Sequence, residues 1–168
     1  MTKQTFVEFI DPLTIPQHGK GISLQGEIDT TLCEEMAARF AFVAVNHVGY
    51  QVNIKMISKD CWALSGTIDV RLVQSCIDTY QPLKEAFRAD IYERYVADFE
   101  DNEEIDVQDA SVEPLINGQI PLKEALFQFV AVQANPYPRV EGAPEAHEFG
   151  PKIEKENPFS KLKQLKKT

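Results

Sequence analysis

The fold is decided by residues 48–70, which read VGYQVNIKMISKDCWALSGTIDV. Across residues 48–56, apolar side chains alternate with polar or small ones, which is the period of a β-strand that buries one face. The alternation resumes over residues 62–70, after a short polar stretch at 58–60 that is typical of a turn. Two alternating runs joined in this way predict an antiparallel hairpin.

Weaker strand patterns flank this hairpin on both sides. Residues 6–10 and 22–28 alternate over short runs that precede it. Residues 87–97 predict a third long strand that follows it. The stretch 72–80 fits either a continuation of the hairpin strand or a turn of helix, and its pattern does not decide between them.

Two further segments have the spacing of amphipathic helices. Asp29 or Thr30 can cap the first helix, which is expected to fade near Phe42. Pro121 fits the first turn of the second helix, and residues 135–138 (NPYP) end it. The apolar positions that recur every three or four residues are Leu32, Cys33, Met36, Ala37, Phe40 and Ala41 in the first helix, and Leu122, Ala125, Leu126, Phe129 and Val130 in the second.

These elements predict an α+β fold. Long strands that follow one another directly favour an antiparallel sheet, because parallel strands need a crossover between them. We expect a bent, mainly antiparallel β-sheet of five to seven strands, with two packed helices and a flexible C-terminal tail. Its core should contain Trp62, Ile68, Phe40 and Phe129.

Charge is distributed unevenly along the chain, whose net charge is −9. Residues 151–168 hold six lysines and two glutamates, a local charge of +4, so the preceding residues carry −13. Seven acidic residues at 98–109 predict a solvated acidic loop. Glycine, proline and charge from 139 onward predict a linker. We therefore expect a single domain at 1–138, which contains the acidic loop, and a linker and tail at 139–168.

The negative body has two interpretations. It suits a basic partner and would repel a phosphate backbone. Alternatively, the charge only keeps the protein in solution.

The tail predicts a short amphipathic helix. Asn157 can cap it and Pro158 can occupy its first position. A helix this short is marginal in isolation, so we expect it to fold on a surface, either of a partner or of its own domain. The alternative is an inert tail that only keeps the protein in solution. Its apolar seam consists of Phe159, Leu162 and Leu165, and the lysines around this seam are Lys161, Lys163, Lys166 and Lys167.

No motif in the sequence indicates catalysis or metal binding. The three histidines have no second ligand at helical spacing, and the three cysteines form no Cys-x-x-Cys pair. A Cys76 nucleophile paired with a distant histidine is the enzymatic alternative, and no local signature supports it. We predict a protein that is not an enzyme and that uses no cofactor, no metal and no small-molecule substrate.

No apolar run approaches the roughly 18–20 residues that cross a bilayer. The first residues also lack the apolar segment of a signal peptide. We predict a cytoplasmic protein without a membrane partner.

Three short motifs occur in a recognisable order. Residues 74–79 (QSCIDT) precede Pro82, residues 118–122 (GQIPL) precede the second helix, and residues 135–139 (NPYPR) follow it. At the end of the chain, Asn157-Pro158-Phe159 is followed by Leu162 and by Leu165-Lys166. Together these motifs resemble the YceD family, also called DUF177, in the form found in alphaproteobacteria. The resemblance covers most of the chain from about residue 22 onward.

The resemblance implies a non-enzymatic accessory factor for the accumulation of large-subunit ribosomal RNA. Many members carry a Cys-x-Arg-Cys motif. Here Cys76 matches the first cysteine, but Asp78 and Thr79 replace the arginine and the second cysteine. The cysteines that some relatives carry after the last helix are absent, whereas Pro136 and Pro138 match the family motif there. A metal or redox role is therefore not implied for this chain.

Two modes of action follow from the resemblance and the charge distribution. In the first, the chain binds a ribosomal protein or a large-subunit assembly intermediate, with Asn157, Pro158, Phe159, Lys161, Leu162, Lys163, Leu165 and Lys166 as the partner-binding residues. In the second, the basic tail binds ribosomal RNA directly. The first mode is our prediction, and the second is the alternative.

Overall fold

The computed structural model describes residues 6–97 and 112–142. A turn of 3-10 helix (Pro12–Thr14) comes before the first strand. The strands and helices are, in chain order, β1 (Ile22–Glu27), α1 (Thr30–Phe40), β2 (Ala44–Ser58), β3 (Cys61–Ser75), β4 (Pro82–Val96), β5 (Val112–Pro114) and α2 (Leu122–Gln133). Within the described ranges, the predicted α+β fold with two helices is confirmed.

In the part of the chain that the structure describes, the sheet has five strands in the order β1-β2-β3-β4-β5. The first four strands pair antiparallel, and β5 pairs parallel with the end of β4. The predicted hairpin is β2–β3, in which Met56 lies opposite Trp62. Its turn contains Asp60 with a φ of 56°, a left-handed conformation that aspartate tolerates better than most residues. The sheet is thus mainly antiparallel, as the alternation predicts.

The register divides the sheet into two faces. Residues that lie opposite one another on paired strands point to the same side. One side is apolar: Val48, Ile54 and Ile68, among others, are buried there. Helix α1 packs against β2 and α2 against β4, and a single cluster of buried side chains joins the helices to this apolar side.

The other side of the sheet is polar and largely exposed, and we call it the open face. Its residues include Ser23, Gln25 and Glu27 on β1; His47, Gly49, Gln51, Asn53 and Lys55 on β2; Ser65, Thr67, Asp69, Arg71 and Val73 on β3; and Lys84, Ala86, Arg88, Asp90, Tyr92 and Arg94 on β4.

Helix α1 begins and ends where the sequence predicts. The Asp29 carboxylate accepts a hydrogen bond from the backbone N–H of Leu32 at 2.9 Å, which satisfies a free donor of the first turn. After Phe40, Ala41 adopts the left-handed conformation and ends the helix. The C-terminal end of α1 contacts α2 through Arg39, whose guanidinium donates to both carboxylate oxygens of Glu124 at 2.7 and 2.6 Å.

The predicted strand at residues 6–10 is wrong. Only Ile10 forms a bridge, to Ile120, with both backbone hydrogen bonds at 2.9 Å. The Glu8 carbonyl accepts from the backbone N–H of Lys123, in the first turn of α2. This segment therefore pairs with the entry to α2 instead of the sheet.

The predicted core is confirmed for Trp62 and Ile68, which are buried. Phe40 and Phe129 are only partly buried and pack against the core, so the prediction that they belong to the core is wrong. The aromatic residue that α2 buries completely is Phe127. Its ring meets that of Phe40 edge-on, with the ring centroids 6.3 Å apart.

The structure also defines the turns and short segments between these elements. The undecided stretch 72–80 continues β3 as far as Ser75 and then turns. Asn117 and Gly118 both have positive φ and close a two-residue turn between Ile116 and Gln119, as this dipeptide predicts. Strand β5 was not predicted. The acidic loop at 98–109 and nearly all of the linker and tail lie outside the described residues.

Candidate functional site

Two of the sequence motifs meet at the end of the sheet where β3 turns into β4. The turn is closed by two backbone hydrogen bonds of 2.9 Å, from Cys76 N–H to the Gln81 carbonyl and from Tyr80 N–H to the Cys76 carbonyl. Tyr80 has a φ of 58°, and the residue is 81% exposed. The turn thus presents Cys76 inward and Tyr80 outward.

The segment that follows α2 docks on this turn. The backbone N–H of Ile77 donates to the Pro138 carbonyl at 2.9 Å. The Arg139 guanidinium lies 3.2 Å from the carboxylate of Asp78, whose side chain is 11% exposed. Asp78, which belongs to the first of the two motifs, thus makes an ion pair with a residue of the second.

A second set of hydrogen bonds fastens the same segment to β3 and β4. The Gln74 amide donates to the Glu85 carboxylate at 2.7 Å and to the Asn135 carbonyl at 3.0 Å. Glu85 also accepts from the backbone N–H of Asn135 at 3.0 Å. Pro136 follows directly and has no N–H to satisfy. We call the contact of residues 74–81 with residues 135–140 the motif junction.

The Cys76 thiol lies at the centre of the motif junction and has no exposed surface. Hydrogen bonds lower its pKa to about 7, first of all from the Thr79 hydroxyl and then from backbone N–H groups that include Val140, at 3.5 Å from the sulfur. Such donors favour the thiolate over the thiol. Because the sulfur is covered on every side, a substrate reaches it only if the junction opens.

A groove of about 260 Å³ lies on the open face, between β1 and β3. His47 stands within it between two carboxylates: its Nδ1 is 3.8 Å from Glu27 and its Nε2 is 3.5 Å from Asp69. A β-bulge between Val45 and His47 turns Val45 into the core and His47 outward. The groove also includes Arg88 on β4.

No sequence motif predicts this groove. The alternation along β2 does predict that His47 lies on the open face, because it puts His47 on the side opposite Val48 and Val52. The neighbours Glu27 and Asp69 could not be found in that way, since they depend on the register of three strands.

The apolar side of the sheet contains one buried charged residue, Glu93, which is 5% exposed. The hydroxyl of the buried Tyr95 donates a hydrogen bond to its carboxylate. Burial raises the pKa of Glu93, and the negative charges of Glu113 and Glu124 raise it further, while the Tyr95 hydrogen bond lowers it. The pKa of Tyr95 is raised as well, mainly by burial.

Glu93→Gln is expected to raise the free energy of unfolding by about 1–2 kcal/mol at neutral pH, because burial disfavours the charged carboxylate, whereas the amide cannot ionise and still accepts from Tyr95. The folded protein keeps the Glu93 carboxyl protonated up to a higher pH than the unfolded chain does. In the unfolded chain the pKa of this carboxyl is 4.5. The free energy of unfolding of the wild type therefore falls as the pH rises above 4.5. The difference in stability between Glu93→Gln and the wild type increases with pH over the same range.

Urea denaturation of the two proteins across this pH range measures the difference. Asp90→Asn, which removes an exposed carboxylate from the open side of the same strand, should show almost none of it. An advantage of Glu93→Gln that shrinks with rising pH would contradict the raised pKa.

Within residues 6–97 and 112–142, no three His, Cys, Asp or Glu side chains lie together in a way that could hold a metal ion. No helix in these two ranges has the length and apolar character needed to cross a membrane.

The predicted site residues divide between the two parts of the chain. Cys76, Thr79, Pro136 and Pro138 come together in the motif junction. The predicted partner-binding residues of the tail, from Asn157 to Lys166, lie outside the described residues.

Comparison with protein-family models, with curated proteins and with solved structures finds no match for this chain.

Proposed function

We propose that this chain is a non-enzymatic, cytoplasmic accessory factor for the accumulation of large-subunit ribosomal RNA. It acts by binding a ribosomal protein or a large-subunit assembly intermediate. The alternative is a protein that binds RNA directly through its basic tail.

The motif junction carries this proposal. The resemblance rests on short motifs that are far apart in sequence, and two of them are in direct contact, at Ile77 with Pro138 and at Asp78 with Arg139. Motifs that form one structural unit support the resemblance better than motifs that are scattered. The junction also holds the start of the C-terminal segment, through Val140, against the domain.

The charge distribution supports a basic protein as the partner. Away from the open face, the described residues include five basic and twelve acidic side chains. Three of those five cations, Arg39, Lys123 and Arg139, already face carboxylates. The surplus acidic charge complements ribosomal proteins, most of which are basic, and would speed the encounter with one.

Affinity capture with the tagged full-length chain tests the proposal. We expect large-subunit proteins or precursors to be recovered with the wild type and to fall by about tenfold with the tail variant Phe159→Ala/Leu162→Ala/Leu165→Ala, because apolar anchors dominate the docking of a short helix. The matched control, Lys152→Gln/Lys155→Gln, changes the linker and should recover the same set.

A strain that lacks the protein provides the second measurement. Its ratio of large-subunit to small-subunit ribosomal RNA should fall and should return with the wild-type gene. An unchanged ratio, together with capture of no large-subunit component, would refute the proposed function.

A further inference from the structure

The open face differs in charge from the rest of the described surface. Residues 6–97 and 112–142 contain ten basic and fifteen acidic side chains. Five basic but only three acidic side chains lie on the open face, so the face is positive on a negative protein. The expectation that the whole body repels phosphate does not hold for this face. The basic members are Lys55, Arg71, Lys84, Arg88 and Arg94, and the acidic members are Glu27, Asp69 and Asp90.

Three of these cations form one cluster at the end of the face nearest the motif junction. Arg71 lies opposite Ala86 on β4, and Lys84 and Arg88 stand two residues before and after Ala86 on the same side. Diagonal neighbours of this kind are about 7–8 Å apart across a sheet. We call Arg71, Lys84 and Arg88 the basic cluster. The small, exposed side chain of Ala86 leaves a shallow floor between them.

The charges of the basic cluster are not neutralised within the described residues. Arg71 and Lys84 have no hydrogen bond or ion pair there, and Arg88 makes only a long hydrogen bond of 3.4 Å to the Thr67 hydroxyl. The carboxylate across from Arg88 belongs to Asp69, and it lies 3.5 Å from His47 instead. Exposed cations on strands that form no ion pair within the described residues suit an anionic partner.

Neutral hydrogen-bonding groups and an aromatic ring accompany the basic cluster. Gln25 and Gln51 line the groove beside it. Tyr92 is 48% exposed on the same face, four residues along β4 from Arg88, a distance of about 13 Å at the rise of a strand. Amide side chains can read base edges and an exposed ring can stack on a base, whereas an acidic peptide needs neither.

We propose that the open face binds single-stranded RNA, with the basic cluster on its phosphates and Tyr92 stacked on a base. This inference deepens the proposed function and rests on it for the choice of RNA. It assigns the RNA contact to the folded domain, whereas direct RNA binding by the basic tail would assign it to residues 151–168.

Binding of the full-length protein to a fluorescein-labelled single-stranded RNA of about 12 nucleotides tests the proposal. For Arg71→Gln/Lys84→Gln we expect Kd to rise about tenfold, and the slope of log K against log salt to flatten by about 1.4, since two phosphate contacts are lost. Lys20→Gln/Lys59→Gln removes two exposed cations that are not on the open face, and it should bind as the wild type does.

Tyr92→Ala provides an independent readout. Loss of one stacked base should raise Kd about fivefold or more without changing the salt slope. All five substituted side chains are exposed, so thermal unfolding of each variant should match the wild type.

Four results would overturn the proposal. One is no binding by the wild type at about 50 mM salt. The second is wild-type affinity of the Arg71→Gln/Lys84→Gln variant combined with lost affinity when Lys161, Lys163, Lys166 and Lys167 are changed to Gln. The third is that polyglutamate at matched charge competes as well as single-stranded RNA does. The fourth is that duplex RNA binds with the same affinity as single-stranded RNA. Capture of large-subunit precursors by the wild type would leave the proposed function standing in each case.

Discussion

Gly66→Ala is expected to destabilise the protein by about 3 kcal/mol or more, because a side chain at this position has no space. Gly66 lies in β3 between Val52 of β2 and Ile91 of β4. A Cβ placed there would come within 2.1 Å of the Gln51 carbonyl oxygen and 2.7 Å of the Val52 Cα. Both are backbone atoms of a paired strand, so relief requires the sheet to open. Urea denaturation measures the loss as a lower midpoint.

Gly49→Ala is the matched control for this substitution. Gly49 also lies in a central strand, but a Cβ there would approach only side-chain atoms, the His47 Nε2 at 3.1 Å and the Asp69 Cβ at an ordinary contact distance of 3.9 Å. Its stability should stay within about 1 kcal/mol of the wild type, since alanine also restricts the unfolded chain. Equal midpoints for Gly66→Ala and the wild type would show that β2 and β3 do not approach as closely as described.

Phe127→Ala is expected to lower the free energy of unfolding by about 3–5 kcal/mol, the usual cost of deleting a buried aromatic ring. Phe127 is completely buried in the core cluster, and its ring contacts that of Phe40. The ammonium of Lys123 lies 5.6 Å from the ring centroid, so a cation–π contact is lost as well. Thermal and urea unfolding both measure the loss.

Phe129→Ala removes the same group from the same helix at a partly buried position. We expect it to cost about half as much or less, because the lost burial and the cavity are both smaller. The sequence pattern predicts the opposite order. A larger loss for Phe129→Ala would mean that α2 is rotated about its axis from the orientation described here.

The strands could be predicted from sequence because their signal has an unambiguous period. In β2 and β3, every second side chain is apolar, so both the existence of the hairpin and the inward side of Ile68 follow. In α2, by contrast, Leu126, Phe127, Phe129 and Val130 are apolar almost without interruption. When a helix has apolar residues on several sides, the sequence pattern does not indicate which side faces the core.

Other features depend on contacts that no local pattern encodes. Strand β5 has only three residues, too few for an alternation to be recognised. The motif junction could be anticipated as two motifs but not as one unit, since Ile77 and Pro138 meet only after the sheet and α2 are in place. The basic cluster likewise depends on the β3–β4 register, which places Arg71 between two residues of β4.

The order of the strands also bears on how the chain assembles. Among the described residues, strands β2, β3 and β4 follow one another with short turns between them, so their antiparallel contacts close short loops and cost little chain entropy, whereas α1 lies between β1 and β2. The contacts of Ile10 with Ile120 and of Ile77 with Pro138 join distant parts of the chain. We infer that the three-stranded meander of β2, β3 and β4 forms early and that α2 and the motif junction close over it afterwards. Cys76 would then remain accessible until the last step of folding.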